Sequence, residues 1–110
     1  MTKVKANITI NDYNISKKGI LTNDILIVKE NDTNLTFNYK NLVLTRRNCD
    51  HIITLDFKNK KIIYEIPEIS QKFYHNFTIL SLTNKAKQVM INYQIEKTLF
   101  SLKINYETIE

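Results

Sequence analysis

The sequence predicts an all-β fold, a single antiparallel β-barrel of about eight strands formed by residues 1–110. Apolar and polar residues alternate along short runs, which is the period of a strand with one buried face. The runs follow one another at intervals of roughly ten residues, a spacing typical of β-sandwiches and β-barrels. The chain has 110 residues, of which 43% are hydrophobic. This is enough for one core that needs neither a metal nor a disulfide for support.

Nine runs are of β type, and each predicts one strand. The first extends from Val4 to Ile10, where the even positions are apolar and the odd positions between them are polar. Short turns separate the runs, which favours antiparallel neighbours. The other predicted strands are Asp24 to Glu30, Asn34 to Tyr39, Leu42 to Arg47, His51 to Phe57, Lys61 to Ile66, Phe73 to Leu82, Lys87 to Gln94 and Thr98 to Tyr106.

The clearest local prediction is a hairpin near the C-terminal end, with a two-residue turn at Glu96-Lys97. One face of this hairpin is apolar and the other is mostly polar, and a slip of one residue would mix the two faces. The predicted pairs are Tyr93 with Phe100, Ile91 with Leu102, Val89 with Ile104, Asn92 with Ser101 and Met90 with Lys103.

A second hairpin is predicted on either side of the turn Lys58-Asn59-Lys60. A turn centred on Lys58-Asn59 pairs Leu55 with Ile62, whereas a turn centred on Asn59-Lys60 pairs Phe57 with Ile62. Both registers keep the same face apolar, so the sequence leaves them open.

Segment Pro67 to Leu82 admits two interpretations. Its apolar residues fall at helical spacing, and Pro67-Glu68 is a suitable helix start. Against a helix, aromatic and β-branched residues such as Phe73 and Ile79 favour strands. We therefore expect an extended segment.

Glycine and proline are scarce, with Gly19 and Pro67 as the single examples. A loop that cradles phosphate needs several glycines at fixed offsets, so Walker and dinucleotide-binding sites are excluded. Turns must then come from asparagine, which tolerates a positive φ. We expect turns at Asn31, Asn59 and Asn84.

The single cysteine, Cys49, allows no internal disulfide. The chain begins without the apolar run of a signal peptide, and no apolar stretch approaches the ~20 residues of a membrane-spanning helix. We expect a cytoplasmic protein with no membrane partner.

Cys49, Asp50 and His51 are the one place where nucleophile, carboxylate and imidazole lie together. In an extended segment Cys49 and His51 would lie about 7 Å apart, too far to activate a thiolate. A polar turn is the simpler interpretation. His51 and His75 lack the spacing of a zinc site. We predict no catalytic residue, no metal site and no cofactor, and expect that the protein is not an enzyme.

The net charge of +5 raises the question of nucleic-acid binding. Small basic clusters occur along the chain, and tyrosines are numerous enough to stack on bases. Lysine on outward strand positions also protects β-proteins from edge-to-edge aggregation, which is the favoured interpretation. The clusters are Lys17-Lys18, Arg46-Arg47, Lys58 with Lys60-Lys61, and Lys85 with Lys87.

Arg46 differs from the other basic residues because it shares its strand parity with Leu42 and Leu44. It is expected to point towards the core side near a strand end. A guanidinium placed there needs an anionic or carbonyl partner. A structural salt bridge to Glu65 or Asp50 at the end of the barrel is the favoured interpretation, and another anionic or carbonyl partner at the mouth of the cavity is the alternative.

Three segments in order carry a family resemblance. Leu42 to Asn48 is an apolar strand that ends in arginine before a tight turn, Ile53 to Pro67 is a hairpin, and Ser81 to Tyr106 contains the final strands. In this order they resemble the YwiB-like family of small bacterial proteins. The resemblance implies a calycin-type, lipocalin-like β-barrel and implies no particular activity. Where that family has glycines, this chain has Asn48-Cys49 and Glu68-Ile69.

These observations predict a barrel that binds a small apolar or amphipathic molecule in its interior. Two alternatives remain: a barrel that binds nucleic acid through surface lysines, and a pleckstrin-homology-like protein-interaction domain, which requires a C-terminal helix where the strongest hairpin lies. The predicted lining consists of Ile53, Leu55, Tyr64, Ile91, Tyr93, Phe100 and Leu102, with Arg46 near the mouth.

Overall fold

Antiparallel strands make up nearly the whole computed structural model, which describes residues 1–85 and 88–109. Within these ranges there are 11 strands and one 3₁₀ turn, Pro67–Ile69, and no helix is long and apolar enough to cross a bilayer. The strands are β1 (Thr2–Ile10), β2 (Tyr13–Thr22), β3 (Ile25–Glu30), β4 (Thr33–Asn38), β5 (Val43–Arg47), β6 (Ile52–Asp56), β7 (Lys61–Ile66), β8 (Gln71–Asn76), β9 (Thr78–Lys85), β10 (Gln88–Ile95) and β11 (Thr98–Thr108).

All 11 strands belong to one sheet, in the order β8-β7-β6-β5-β4-β3-β2-β1-β11-β10-β9, which curls into a nearly closed barrel. Its two edge strands, β8 and β9, are consecutive in the chain and only Phe77 separates them. The Phe77 N–H donates to the carbonyl oxygen of Lys60 at 3.1 Å. This bond extends the β7–β8 ladder by one step, and no ladder of the described residues joins β8 to β9, so the barrel is not fully closed.

The all-β antiparallel barrel is confirmed, but the prediction of about eight strands is wrong. One additional strand is β2, where Lys17 and Gly19 occupy inward positions and break the apolar alternation. Another arises because the predicted strand Phe73 to Leu82 is divided at Phe77, where its partner changes from β7 to β10. Lys87, the first residue of one predicted strand, lies outside the described residues.

Both predicted hairpins form. At the C-terminal end all five predicted pairs occur, and Ile95 pairs with Thr98 on either side of the turn. In the β6–β7 hairpin Leu55 pairs with Ile62, which selects the register centred on Lys58-Asn59 over its alternative. Between Pro67 and Leu82 the chain is extended as predicted, apart from the single 3₁₀ turn.

The turn predictions for asparagine are right in part. Asn31 has a φ of 54°, and Asn11 and Asn23 also adopt positive φ. In the β6–β7 turn the positive φ of 59° falls on Lys60 and not on Asn59. The prediction of a turn at Asn84 is wrong, because this residue lies within β9 opposite Val89.

The single glycine serves strand packing and not a turn. Gly19 lies inside β2, opposite Val28 of β3. A Cβ at this position would lie 2.6 Å from the carbonyl oxygen of Ile27. The close approach of β2 and β3 therefore requires glycine.

Inward-facing residues of most strands form one apolar core, but the two sides of the barrel differ. On the covered side, which we define as β1, β10 and β11, Val4, Val89 and Ile104 are 0% exposed. On the open side, which we define as β6, β7 and β8, no residue is buried. The core consists of Val4, Ala6, Ile8, Ile15, Leu26, Val28, Leu35, Phe37, Leu44, Phe57, Phe77, Val89, Ile91, Tyr93, Leu102 and Ile104.

Candidate functional site

Arg46 lies on the inner face of the sheet near the end of β5. It pairs with Leu35 of β4 and Ile53 of β6, and Leu35 is only 2% exposed. Residues directly opposite each other project from the same face of a sheet, so Arg46 faces inward as its parity predicts. Its side chain is nonetheless exposed, because this part of the inner face is open to solvent.

Arg46 lines a pocket of about 160 Å³, which we call the mouth pocket. Its apolar walls come from β1, β2 and β4, and its polar groups lie at the ends of β2, β3, β4 and β5. The arrangement places one cation beside an apolar recess. The lining residues are Ile10, Tyr13, Ile15, Glu30, Thr33, Leu35 and Arg46.

The Glu30 carboxylate, which lines the mouth pocket, accepts a hydrogen bond. The Tyr13 hydroxyl donates to Oε1 of Glu30 at 2.5 Å. This bond raises the pKa of Tyr13, burial and the Glu30 charge raise it further, and the positive charge of Arg46 opposes the shift. Glu30 therefore already has a polar partner, although it lies in the same pocket as Arg46.

The predicted salt bridge from Arg46 to Glu65 or Asp50 is wrong. Among the described residues the single contact within 4.0 Å between a basic side chain and a carboxylate joins Nε2 of His75 to Oε1 of Glu96 at 3.5 Å. Glu65 pairs with Ile52, which in turn pairs with Arg47, so Glu65 lies on the outer face of the sheet. Asp50 lies in the exposed turn between β5 and β6.

An apolar strip continues from Arg46 across the open side. Ile53, Tyr64 and Phe73 pair in succession on β6, β7 and β8, so all three share the inner face with Arg46, and we call the four residues the inner row. The rings of Tyr64 and Phe73 lie 6.3 Å apart, and His51 stacks on Tyr64 at 5.4 Å. Phe73 is 52% exposed. The inner row is thus an apolar surface that ends in a cation.

The other predicted lining residues lie elsewhere. Ile91, Tyr93 and Leu102 are 1%, 3% and 2% exposed and belong to the packed core. Leu55 and Phe100 are partly buried against that core. The structure therefore divides the predicted lining into a buried group on the covered side and a group on the open side, which includes Ile53 and Tyr64 beside Arg46.

Sequence reasoning missed Tyr13, Ile15 and Glu30 as members of the mouth pocket. Tyr13 and Ile15 belong to β2, which the broken alternation concealed. Tyr13 and Ile15 are two residues apart, so in a strand their side chains lie on the same face. This spacing is the one sequence signal that indicates two inward residues. Glu30 ends the predicted strand Asp24 to Glu30, and nothing in the sequence connects it with Tyr13.

The segment from Asn48 to His51 is a polar connection held by its own side chains. Oδ1 of Asn48 accepts hydrogen bonds from the backbone N–H groups of Asp50 at 2.8 Å and His51 at 2.9 Å. Cys49 is exposed. Within residues 1–85 and 88–109 no group of three or more His, Cys, Asp or Glu side chains is arranged to hold a metal ion.

Comparisons with known proteins identify no relative of the chain. No protein-family model, curated protein or solved structure matches the chain. The motifs that resemble the YwiB-like family lie on β5 to β7 and on β9 to β11. The resemblance stays a prediction based on these motifs.

Proposed function

We propose that the protein binds a small amphipathic anion on the inner face of the open side. The anionic group contacts Arg46, and the apolar part lies in the mouth pocket and along the inner row. In this proposal the protein is a cytoplasmic ligand-binding barrel of the YwiB-like, lipocalin-like type. It performs no catalysis.

The observation that supports the proposal most directly is the position of Arg46. Its guanidinium lies beside apolar walls, and no carboxylate of the described residues lies within 4.0 Å of it. Glu30, the acidic residue of the same pocket, accepts the hydrogen bond from Tyr13. A guanidinium presents donors in a fork that fits a carboxylate or phosphate in two-point contact. This geometry favours an anionic group over a neutral one.

The size of the pocket limits what it holds. About 160 Å³ is below the ~300–1,000 Å³ of typical ligand pockets, so only the anionic group and the first carbons fit inside. A longer apolar tail has to follow the inner row past Ile53 towards Tyr64 and Phe73, which are already partly exposed. Affinity should therefore increase with chain length.

Titration with straight-chain alkyl carboxylates of four to twelve carbons tests the proposal. Isothermal calorimetry gives the affinity, and amide chemical shifts locate the contacts. We expect shifts at the residues of the mouth pocket and on β5 to β8. Binding should be about tenfold weaker in Arg46→Gln, since a charged hydrogen bond contributes about 1.5–3 kcal/mol and exposure reduces this value. Arg47→Gln is the matched control, because it removes the same charge from the outer face of the same strand.

Two results would overturn the proposal. One is the absence of saturable binding for every carboxylate in the series. The other is an equal loss of affinity in Arg46→Gln and Arg47→Gln, which would assign the effect to net charge and not to the inner face.

A further inference from the structure

Basic residues form a row across the outer face of the barrel. Lys5 of β1 and Lys18 of β2 are directly opposite each other. Lys29 follows Val28, the partner of Gly19, so it lies beside Lys18 on β3. Asn34 of β4 then pairs with both Lys29 and Arg47. We call Lys5, Lys18, Lys29 and Arg47 the basic row, and all four side chains are exposed.

The basic row opposes the stability of the sheet. Like charges directly opposite each other, such as Lys5 and Lys18, destabilise a pair of strands, and Glu107 of β11, which is opposite Lys5 on its other side, offsets this in part. Protection of sheet edges does not explain the lysines of the basic row, because β1, β2 and β3 lie in the middle of the sheet and the edges are β8 and β9. No carboxylate of the described residues lies within 4.0 Å of any of the four. Their positive charge is therefore available to a partner.

Polar and apolar groups, together with one further exposed lysine, Lys3, border the basic row on its two flanks. On one flank Ser16 donates a hydrogen bond to Oδ1 of Asn7 at 2.9 Å. On the other flank is a recess of about 440 Å³. Lysine, serine and asparagine side chains are the usual partners of phosphates and sugars in nucleic acids. The recess is lined by Lys3, Lys18, Gly19, Ile20, Ile27, Lys29 and Ile109.

We propose that the basic row binds the phosphodiester backbone of single-stranded nucleic acid. The row crosses five neighbouring strands, β1 to β5, so four inter-strand spacings of ~4.8 Å place its ends about 19 Å apart. Those five strands belong to a barrel of 11, so the row follows the curvature of the wall. A flexible single strand can follow this curve, whereas a stiff duplex touches it only in part. The recess contains no aromatic side chain, so contacts are independent of base sequence.

A membrane surface fits these residues less well. Ile20 and Ile27 are each 36% exposed and lie among lysine side chains. Surfaces that insert into a bilayer usually add exposed tryptophan, phenylalanine or leucine to their basic residues. None of these residue types lines the recess.

Fluorescence anisotropy with fluorescein-labelled 12-nucleotide oligo(dT) and oligo(U) tests the proposal at 50–200 mM salt. For single strands the logarithm of the affinity falls with the logarithm of salt concentration with a slope of about −0.7 per neutralised phosphate, so four contacts predict a slope near −3. In the triple variant Lys5→Gln, Lys18→Gln, Lys29→Gln we expect at least tenfold weaker binding at 50 mM salt and a slope near −1.

A second triple variant, Lys40→Gln, Lys58→Gln, Lys97→Gln, is the matched control. It removes the same charge from three exposed turn positions. Its affinity should stay within about threefold of the wild type. Arg46→Gln should bind the oligonucleotides as the wild type does, which separates this surface from the inner face. Thermal melting of all variants checks that each one is folded.

Four outcomes would overturn the proposal. The first is no binding at 50 mM salt, and the second is an equal loss in the two triple variants. The third is competition by a 12-base-pair duplex as effective as that by the single strand. The fourth is binding to vesicles that contain anionic lipid, lost in the basic-row variant, with no binding to oligonucleotides, which would assign the surface to a membrane.

Discussion

Strands β10 and β6 have similar alternation in sequence and very different burial. On β10 the inward residues Val89, Ile91 and Tyr93 are 0%, 1% and 3% exposed. On β6 the inward residues Ile53 and Leu55 are only partly buried. The period of two specifies which face a residue occupies, whereas the depth of burial depends on what packs across the barrel.

Strand pairing is similar on the two sides and does not explain the difference in burial. β10 is paired along its length with β11 and β9. β6 is likewise paired over all five of its residues with β5 and β7, and β10 is the one that lies next to an edge strand, β9. The difference follows from packing across the barrel, because the inward residues of β10 belong to the core and on β6 only Leu55 packs against it. The two sides meet at an aromatic cluster, in which the Phe77 ring lies 5.5 Å from Phe57 and 5.4 Å from Tyr93. This cluster joins the open side to the core.

The largest effect is expected at this junction. Phe77 is 6% exposed and Phe73, on the open side, is 52% exposed. Phe77→Ala removes a buried ring and should lower the free energy of unfolding by about 3–5 kcal/mol, whereas Phe73→Ala should lower it by less than about 1 kcal/mol. Urea denaturation measures both values. Equal losses would contradict the division into a covered and an open side.

A smaller effect is expected where β2 approaches β3. The Cβ introduced by Gly19→Ala meets the Ile27 carbonyl oxygen, so the strands must separate, at a cost of about 1–3 kcal/mol. Ser16→Ala, farther along the same strand, should cost less than about 1 kcal/mol because its hydrogen bond is exposed. Thermal melting compares them. A Gly19→Ala protein as stable as the wild type would show that the close approach is unimportant.

On the open side, where no residue is buried, hydrogen bonds of the β6–β7 turn contribute to the stability of the fold. Oδ1 of Asp56 accepts hydrogen bonds from the N–H groups of Lys58 and Asn59, and Oδ2 accepts one from Nδ2 of Asn59. Burial raises the pKa of Asp56, but these hydrogen bonds and the nearby Lys61 outweigh it and hold the pKa below the ordinary 3.8. The ionised form therefore stabilises the folded state.

Asp56→Ala should lower the free energy of unfolding at pH 7 by about 1 kcal/mol. Because the folded pKa is depressed, this contribution is present above pH 3.8 and is lost as the pH falls through the folded value. Denaturation curves from pH 7 to pH 2 follow the convergence of variant and wild type. Asp32→Ala is the control, since its side chain forms no hydrogen bond with described residues. A constant difference across this range would refute the role of the charge.

The smallest effect concerns an inward tyrosine near the core. The Tyr39 hydroxyl is buried without a hydrogen-bond partner among the described residues, and burial raises the pKa of Tyr39 well above its ordinary value. Tyr39→Phe should leave stability unchanged or increase it by up to about 1 kcal/mol. Thermal melting detects the change. A clear loss of stability would show that the hydroxyl has a partner, such as an internal water molecule.

Periodicity predicted the fold class and the register of the C-terminal hairpin, because a buried face requires regular alternation of apolar and polar residues, but it left the register of the β6–β7 hairpin open. It did not predict β2, where Lys17 occupies an inward position, or the division at Phe77, which depends on the choice of partner strand. Parity also placed Arg46 on the inner face. It could not connect Arg46 with Tyr13 and Glu30, because contacts between distant strands depend on how the sheet curls.

The pairing of β1 with β11 has a consequence for folding kinetics. Val4 pairs with Thr108 and Ile10 with Leu102, whereas the other ladders join strands that follow one another directly in the chain. Those local ladders can form early, since closing a short loop costs little entropy. The β1–β11 ladder must wait until nearly the whole chain is available. Pairing of distant segments is intrinsically slow, so this one ladder should set the folding rate of the barrel.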